Sequence, residues 1–439
     1  MPGSSRPSAP IQPAVRPRLG RAFRLLWAGE GVSLLGTATT AVLLPLLAVT
    51  HFGAGPGWMG LLTAAAWLPW VLIGLPAGAW VDRLDPRRVM IAADVLAAAT
   101  LASVPVGWAL GVLSLPQLLV VALLGGVATV FFRAAYVKLL PLVVPDAGLE
   151  TANARLFGTE SAMQVAGPGL AGLLTQVVSA AFGVVLDVVG FLVSAGCLWR
   201  IRIDPAARPA VPTAVEPLRT RIAEGVQAVA RDPHLRAIMI IGGVSNFGLT
   251  GYAALLVLFL VDDLGLSSGV LSLVLMVGSV GGLIGALIAP ALARRLGTGR
   301  ASTVLFLAAG PSAFLVGAPS DGQHAWLTSL GLLLVGVAVV GGNVIRGAWR
   351  QRYVPAPLMG RVVTTVQVVN YGTMPLAGVV AGLLGQRLGV QPAILVLAGV
   401  HALACVSILL TRYGRGRELP TRPASPPFSR KNALPRVAK

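Results

Sequence analysis

Twelve stretches of this chain are apolar over roughly the 20 residues a helix needs to cross a bilayer. With loose ends they run over 23–50, 58–81, 88–111, 115–139, 155–179, 181–200, 237–261, 268–293, 301–318, 326–346, 361–385 and 390–411. A soluble core does not absorb that much apolar surface. Hydrophobic residues make up 55% of the chain and charged residues 11%, against about 25% charged in soluble domains. Lipid offers backbone groups no partner, so each stretch is expected as a helix that satisfies its own hydrogen bonds. The fold class is therefore all-α membrane protein. No short apolar run with a small-residue cleavage site precedes the first stretch, which reads as a retained helix and not a signal peptide.

Charge sets the expected topology. With the N-terminus inside, 33 of the 34 basic residues fall on inner segments and Arg387 alone lies outside, as the positive-inside rule requires. The reading is twelve helices in the plasma membrane with both termini cytoplasmic. The net charge of +18 thus serves topology and anionic lipid; nucleic acid is not an expected partner. Trp27, Trp58, Trp80, Trp108, Trp199, Trp326 and Trp349 fall near the expected membrane surfaces as an aromatic belt. The expected divisions are a disordered tail (1–20), a six-helix bundle (21–200), a cytoplasmic linker with a basic amphipathic helix (201–236), a second bundle (237–412) and a basic tail (413–439).

Two bundles are also what an internal repeat suggests. Val144-Pro145 recurs as Val354-Pro355, and the run Ala171 to Leu174 recurs as Ala381 to Leu384. Both matches sit at an offset of 210 residues, about half of the 439-residue chain, as a duplicated bundle predicts. At that offset Glu160 falls on Asn370.

Four acids lie inside spanning stretches, all in the first half: Glu30, Asp94, Glu160 and Asp187. A charged acid at the bilayer centre costs about 2.5–3.5 kcal/mol on insertion scales, so each calls for a role. Three roles are open: a gate salt bridge with Arg133, Lys138 or the loop arginines, a proton site, or a partner for a cationic substrate. Asp187, with no basic residue in sequence range, is the favoured proton or cationic-substrate contact. Trp67 and Trp70 flank Pro69 in mid-helix; they read either as packing and lipid-facing residues or as an aromatic cavity wall. Polar candidates for the cavity are Asn246, Tyr252, Asn370 and Tyr371, with Thr37 and Gln367 beside them. Two cysteines and four histidines show no ligand spacing. No GxxxxGK[ST] run or nucleophile–base pair stands out, so neither an enzyme, a metal site, a cofactor nor a built-in ATPase is expected.

Gly78-Ala79-Trp80-Val81-Asp82-Arg83 with Arg87-Arg88 is similar to the loop motif between helices two and three of the major facilitator superfamily. Gly167-Pro168 with Gly172 is similar to the antiporter motif of its helix five, and Gly360-Arg361-Val362 to the matching turn in the second half. Together with FRLLWAGEGVSLLG at the first helix, the chain over 20–412 resembles the branch of enterobactin and macrolide exporters, of the actinobacterial drug-efflux type. Asp85-Pro86-Arg87 departs from the usual loop motif, and the second-half copy around 285–300 has no acid. Asp94 and Asp187 resemble family positions; Glu30 and Glu160 do not. The resemblance implies two pseudo-symmetric six-helix bundles of the major facilitator fold. It also implies a cytoplasmic gate of Gly78, Asp82, Arg83, Arg87, Arg88 and Arg133, and a helix five that favours export.

The expected function is proton-coupled export of an amphipathic small molecule (an antibiotic, another natural product or a siderophore) by alternating access. The small molecule, protons and membrane lipid are its partners, and the protein is expected as a monomer. The alternatives are a solute importer on the same fold and a membrane sensor that does not transport.

Overall fold

The computed structural model describes residues 19–203 and 218–421, all of them helix, turn or irregular connection. The expected tails at 1–18 and 422–439 and part of the linker lie outside the described residues. The helices are α1 (Arg21–Phe52), α2 (Pro56–Leu72), α3 (Gly74–Val81), α4 (Pro86–Ala109), α5 (Leu115–Val143), α6 (Leu149–Val177), α7 (Ala180–Gly183), α8 (Val185–Arg200) and α9 (Leu218–Arg231). They continue with α10 (Pro233–Leu258), α11 (Ser268–Leu296), α12 (Thr298–Val316), α13 (Ala325–Tyr353), α14 (Ala356–Leu388) and α15 (Val390–Val406).

Among the described residues, ten helical stretches are long and apolar enough to cross a membrane. The other two of the twelve crossings are explained by their sequences. Pro76 has no N–H to offer the Leu72 carbonyl, and its ring crowds that carbonyl. The second crossing accordingly breaks at Ile73 into α2 and α3. The fifth, α6, is unbroken over 29 residues but carries Glu150, Arg155 and Glu160. Two starts, those of α4 and α10, are fixed by a capping carboxylate ahead of a first-turn proline. Asp85 accepts from the Arg87 N–H at 3.0 Å, and Asp232 accepts from the N–H groups of His234 and Leu235 at 2.9 and 3.0 Å.

In the first half α1 packs on α6 and α8, and α4 on α5 and α8. In the second, α10 packs on α14 and α15, α12 on α13 and α15, and α11 on α13. The halves meet through two long crossings, α2 with α14 and α6 with α11. The 210-residue offset carries α6 onto α14, and their partners α11 and α2 lie in opposite halves, as a two-fold relation requires. Val144 ends α5 as Val354 ends α13, and Ala171 and Ala381 are both fully buried.

Three large apolar cores result, beside a small cluster of Ala93, Ala97 and Ala128 between α4 and α5. One spans both halves and joins α1, α2, α10 and α11 with the far ends of α4 and α5. The other two sit apart at the end of the molecule that carries the basic loops, one per half. Residues 413–421 fold onto the second of these. Tyr413 and Leu419 are buried, the Trp349 indole donates to the Pro420 carbonyl at 2.8 Å, and Glu418 accepts from the Thr298 N–H at 3.1 Å at the start of α12. Trp349 is therefore a core residue stacked on Tyr353, not the belt residue its position suggested. Trp80, Trp199 and Trp326 are exposed, as a belt requires.

Candidate functional site

Between the two basic-end cores lies a cavity of about 1210 Å³, walled by α1, α2, α3, α5, α6, α9 and α14. The break at Ile73 helps to shape it, because Gly74 and Gly78 of α3 line the wall while the α2 segment continues toward the sealed end. The seal consists of close helix crossings. A Cβ on Gly60 of α2 would collide with the Gly378 carbonyl of α14, and one on Gly172 of α6 would lie 2.6 Å from the Ser272 Cβ of α11. Only residues without a side chain let these backbones approach so closely.

The cavity wall carries paired charge. Arg133 on α5 meets Glu160 on α6 at 2.8 Å. Nearer the basic face Lys138 pairs with Asp82, and in the second half Arg361 of α14 pairs with Glu224 of α9. Glu30 on α1 also borders the cavity. It is 6% exposed, feels the charges of Arg133 and Glu160, and its Oε2 finds no hydrogen-bond partner among the described residues. Deeper in, Trp67 and Trp70 pack on Tyr371, with ring centroids 5.6 and 4.8 Å apart. These aromatic rings belong to opposite halves, so the group spans the joint that must move.

Several expectations need correction. Asp187 does not reach the cavity; it is buried between α8 and α1, where the Thr37 hydroxyl donates to it at 3.1 Å. Asp94 also lies outside the cavity, on α4, and meets Ser194 instead of the arginines expected within reach. Asp82 pairs with Lys138 and not with the loop arginines. Arg87 instead donates to the Ile201 carbonyl, and Arg83 and Arg88 are exposed. Gly78 faces open space, with no helix against it. Of the polar candidates Tyr371 and Gln367 line the cavity, whereas Asn246 and Asn370 do not and Tyr252 is 3% exposed in the spanning core.

The antiporter-like residues divide their contacts. Gly167 meets Ala38 of α1 within the first half, Pro168 is buried, and Gly172 faces the second half. Glu224 is the charged group that sequence reasoning missed. Its signal is a lone acid in the basic run Arg219 to Arg231.

A membrane-embedded cavity between two related halves, open at one face and sealed at the other, defines a transporter of small molecules. The chain belongs to the Major Facilitator Superfamily, whose model matches residues 26–378. It is 28% identical over 412 residues to "Multidrug efflux pump Tap" of Mycolicibacterium fortuitum, covering 91% of this chain and 97% of that protein. It is 23% identical over 408 residues to "Macrolide efflux protein A" of Streptococcus pyogenes, covering 90% and 97%. A bacterial homologue of the iron transporter ferroportin in its inward-facing state superposes with a TM-score of 0.69 at 18% identity, covering 90% of this chain and 99% of that one. The outward-facing state of that homologue gives 0.58.

Proposed function

We propose that this protein is a proton-driven exporter of amphipathic small molecules, active as a monomer in the plasma membrane with both termini and the basic loops in the cytoplasm. The observation that carries the reading is the cavity itself. It opens on the basic face, and the buried carboxylate Glu30 sits in its wall beside an arginine that also serves Glu160. The better superposition on an inward-facing relative supports assigning this conformation to the cytoplasm-open state. The names of the multidrug and macrolide efflux relatives support export and the substrate class. The aromatic end of the cavity suits the apolar body of such a molecule, and the charged mouth suits its polar part.

The energetics suffice. One proton moving down 100 mV gains about 2.3 kcal/mol, enough to shift a two-state rocking equilibrium by about fiftyfold. Glu30 is placed to couple the two, because a proton added there removes one of the two carboxylates that share Arg133. The first half would then reopen toward the outside with a different charge balance in its wall.

The test uses everted membrane vesicles energised acid-inside, with a macrolide as the probe. Addition of the macrolide is expected to release protons from the lumen while the drug accumulates there, and Glu30→Gln is expected to reduce the drug-dependent proton release at least tenfold. Accumulation that persists after a protonophore collapses the gradient would overturn proton coupling. Accumulation by intact cells but not by everted vesicles would indicate import.

A further inference from the structure

The side of α1 turned away from the cavity meets α8 in a seam of small residues. A Cβ on Gly29 would lie 3.1 Å from the Ser194 Cα, Gly190 would approach the Ser33 Cα at 3.1 Å, and a Cβ on Gly36 would come within 2.7 Å of Asp187 Oδ1. Two acids lie in and beside this seam. Asp187 is 2% exposed and accepts from the Thr37 hydroxyl at 3.1 Å. Asp94, on α4, is 1% exposed; Ser194 is its hydrogen-bonding neighbour, and the charges that act on it are those of Glu30 and Asp187. The Oδ2 of Asp94 finds no partner among the described residues, as does Glu30 Oε2. Neither acid forms an ion pair among the described residues, and no residue of α4 or α8 lines the cavity.

The helix register gives these groups an order. Ser194 lies opposite Gly29, so Asp94 stands at the level of Glu30. Asp187 lies opposite Gly36, seven residues farther along α1 and about 10 Å deeper in the bundle. Close packing at Gly29 and Gly36 leaves no room for an added lysine or arginine in the seam. A carboxylate buried without a cation relieves its cost by taking a proton. Three carboxyl groups in one electrostatic neighbourhood hold fewer charges than there are groups.

We infer that Glu30, Asp94 and Asp187 form a proton-holding line that starts at the cavity wall and runs behind α1, its two inner members Asp94 and Asp187 physically separate from the substrate cavity. Glu30 is its entrance from cavity water, and Asp94 is the group that keeps the proton while substrate moves. In the inward step the Glu30 carboxyl loses its proton to the Asp94 carboxylate. One O–H bond breaks and one forms, and the charge left on Glu30 is met by Arg133. The line rests on the proton-coupled reading above. It adds that substrate and proton do not compete for one group.

The test uses the purified full-length chain in proteoliposomes with a macrolide as the probe. Asp94→Asn is expected to keep macrolide affinity and macrolide–macrolide exchange within twofold of wild type while macrolide-driven proton flux falls at least tenfold. Asp187→Asn is expected to lower the flux less. Wild-type flux in Asp94→Asn would overturn the line while leaving proton coupling intact, as would loss of binding and flux together. A wild-type protein with no macrolide-driven flux would overturn coupling and the line with it. Should Asp94→Asn fail to fold, the wild-type infrared difference spectrum on macrolide binding decides. A carboxyl band that changes with substrate and moves in Asp94→Glu supports the line, and a spectrum without carboxyl change overturns it.

Discussion

Arg133 is the cation on which the first half's cavity wall depends. It bonds Glu160 and also faces Glu30, so its removal leaves two carboxylates uncompensated, whereas loss of Glu160 leaves Arg133 a second acid. Arg133→Leu is therefore expected to lower the melting temperature more than Glu160→Leu does. The double variant should recover part of the loss. The arginine side chain keeps 39% exposure and Glu160 26%, so cavity water screens the pair. The coupling in a double-mutant cycle is expected near about 0.5–1 kcal/mol. A coupling of zero would mean that the pair is decorative. Which of the four intramembrane acids pairs with an arginine could not be read from their spacing along the chain. Glu30 and Asp94 each stand about six residues from a basic end, yet one faces the cavity and the other a serine on α8.

The motion of transport is expected at the helix crossings. α2 with α14 and α6 with α11 are the two long contacts between the halves; the glycines of the first bring backbone against backbone, and Gly172 of the second admits the Ser272 side chain. Such a seam holds the far end shut in this conformation and must open in the other, because packed interfaces switch between discrete arrangements and do not stretch. A Cβ on Gly378 would lie 2.6 Å from the Gly60 carbonyl oxygen. Gly378→Val is thus expected to disfavour the sealed form by about 1–3 kcal/mol, the usual cost of overpacking. Pulsed electron resonance between spin labels on the far ends of α2 and α14 should show a longer distance gaining population in this variant. An unchanged distance distribution would rule out the seam as the outer gate. The α2–α3 break has a local cause, the proline four residues after Leu72, but the apolar run 58–81 reads as one crossing, and Pro69 lies inside α2 without ending it. The glycine at 60 carries no comparable local sign, since its reason lies on a helix more than 300 residues away.

At the scale of the whole molecule, one shared core at the sealed end and two separate cores at the basic end describe halves hinged at one side and parted at the other. The second half is braced by its own C-terminal segment. Tyr413 and Leu419 enter its core, and Glu418 caps α12 where Gly297, at φ +89, turns the chain into that helix. Ending the chain at Thr411 is expected to expose Trp349 and lower the melting temperature by several degrees, with tryptophan fluorescence shifted to the red. An unchanged melting temperature would make the segment a passenger. Trp349 marks the difference between Trp residues that looked alike. Trp326 and Trp349 both lie near helix ends; one faces outward and the other is covered by a segment that returns from beyond the last helix.

The sequence by itself determined the medium, the number of crossings and the side on which basic charge gathers. Each follows from the free energy of placing one residue type in lipid or water, which depends on no other part of the chain. It also showed the two-fold plan, because duplicated helices keep traces of each other at a fixed offset. Tertiary structure alone decided that Asp187 and Asp94 turn away from the cavity, that Asp82 takes Lys138 as its partner, and that Glu224 pairs with Arg361. Those outcomes depend on helix rotation and on contacts between distant segments. A helix's rotation is set by which neighbours its small residues allow to come close, and a single segment does not contain its neighbours.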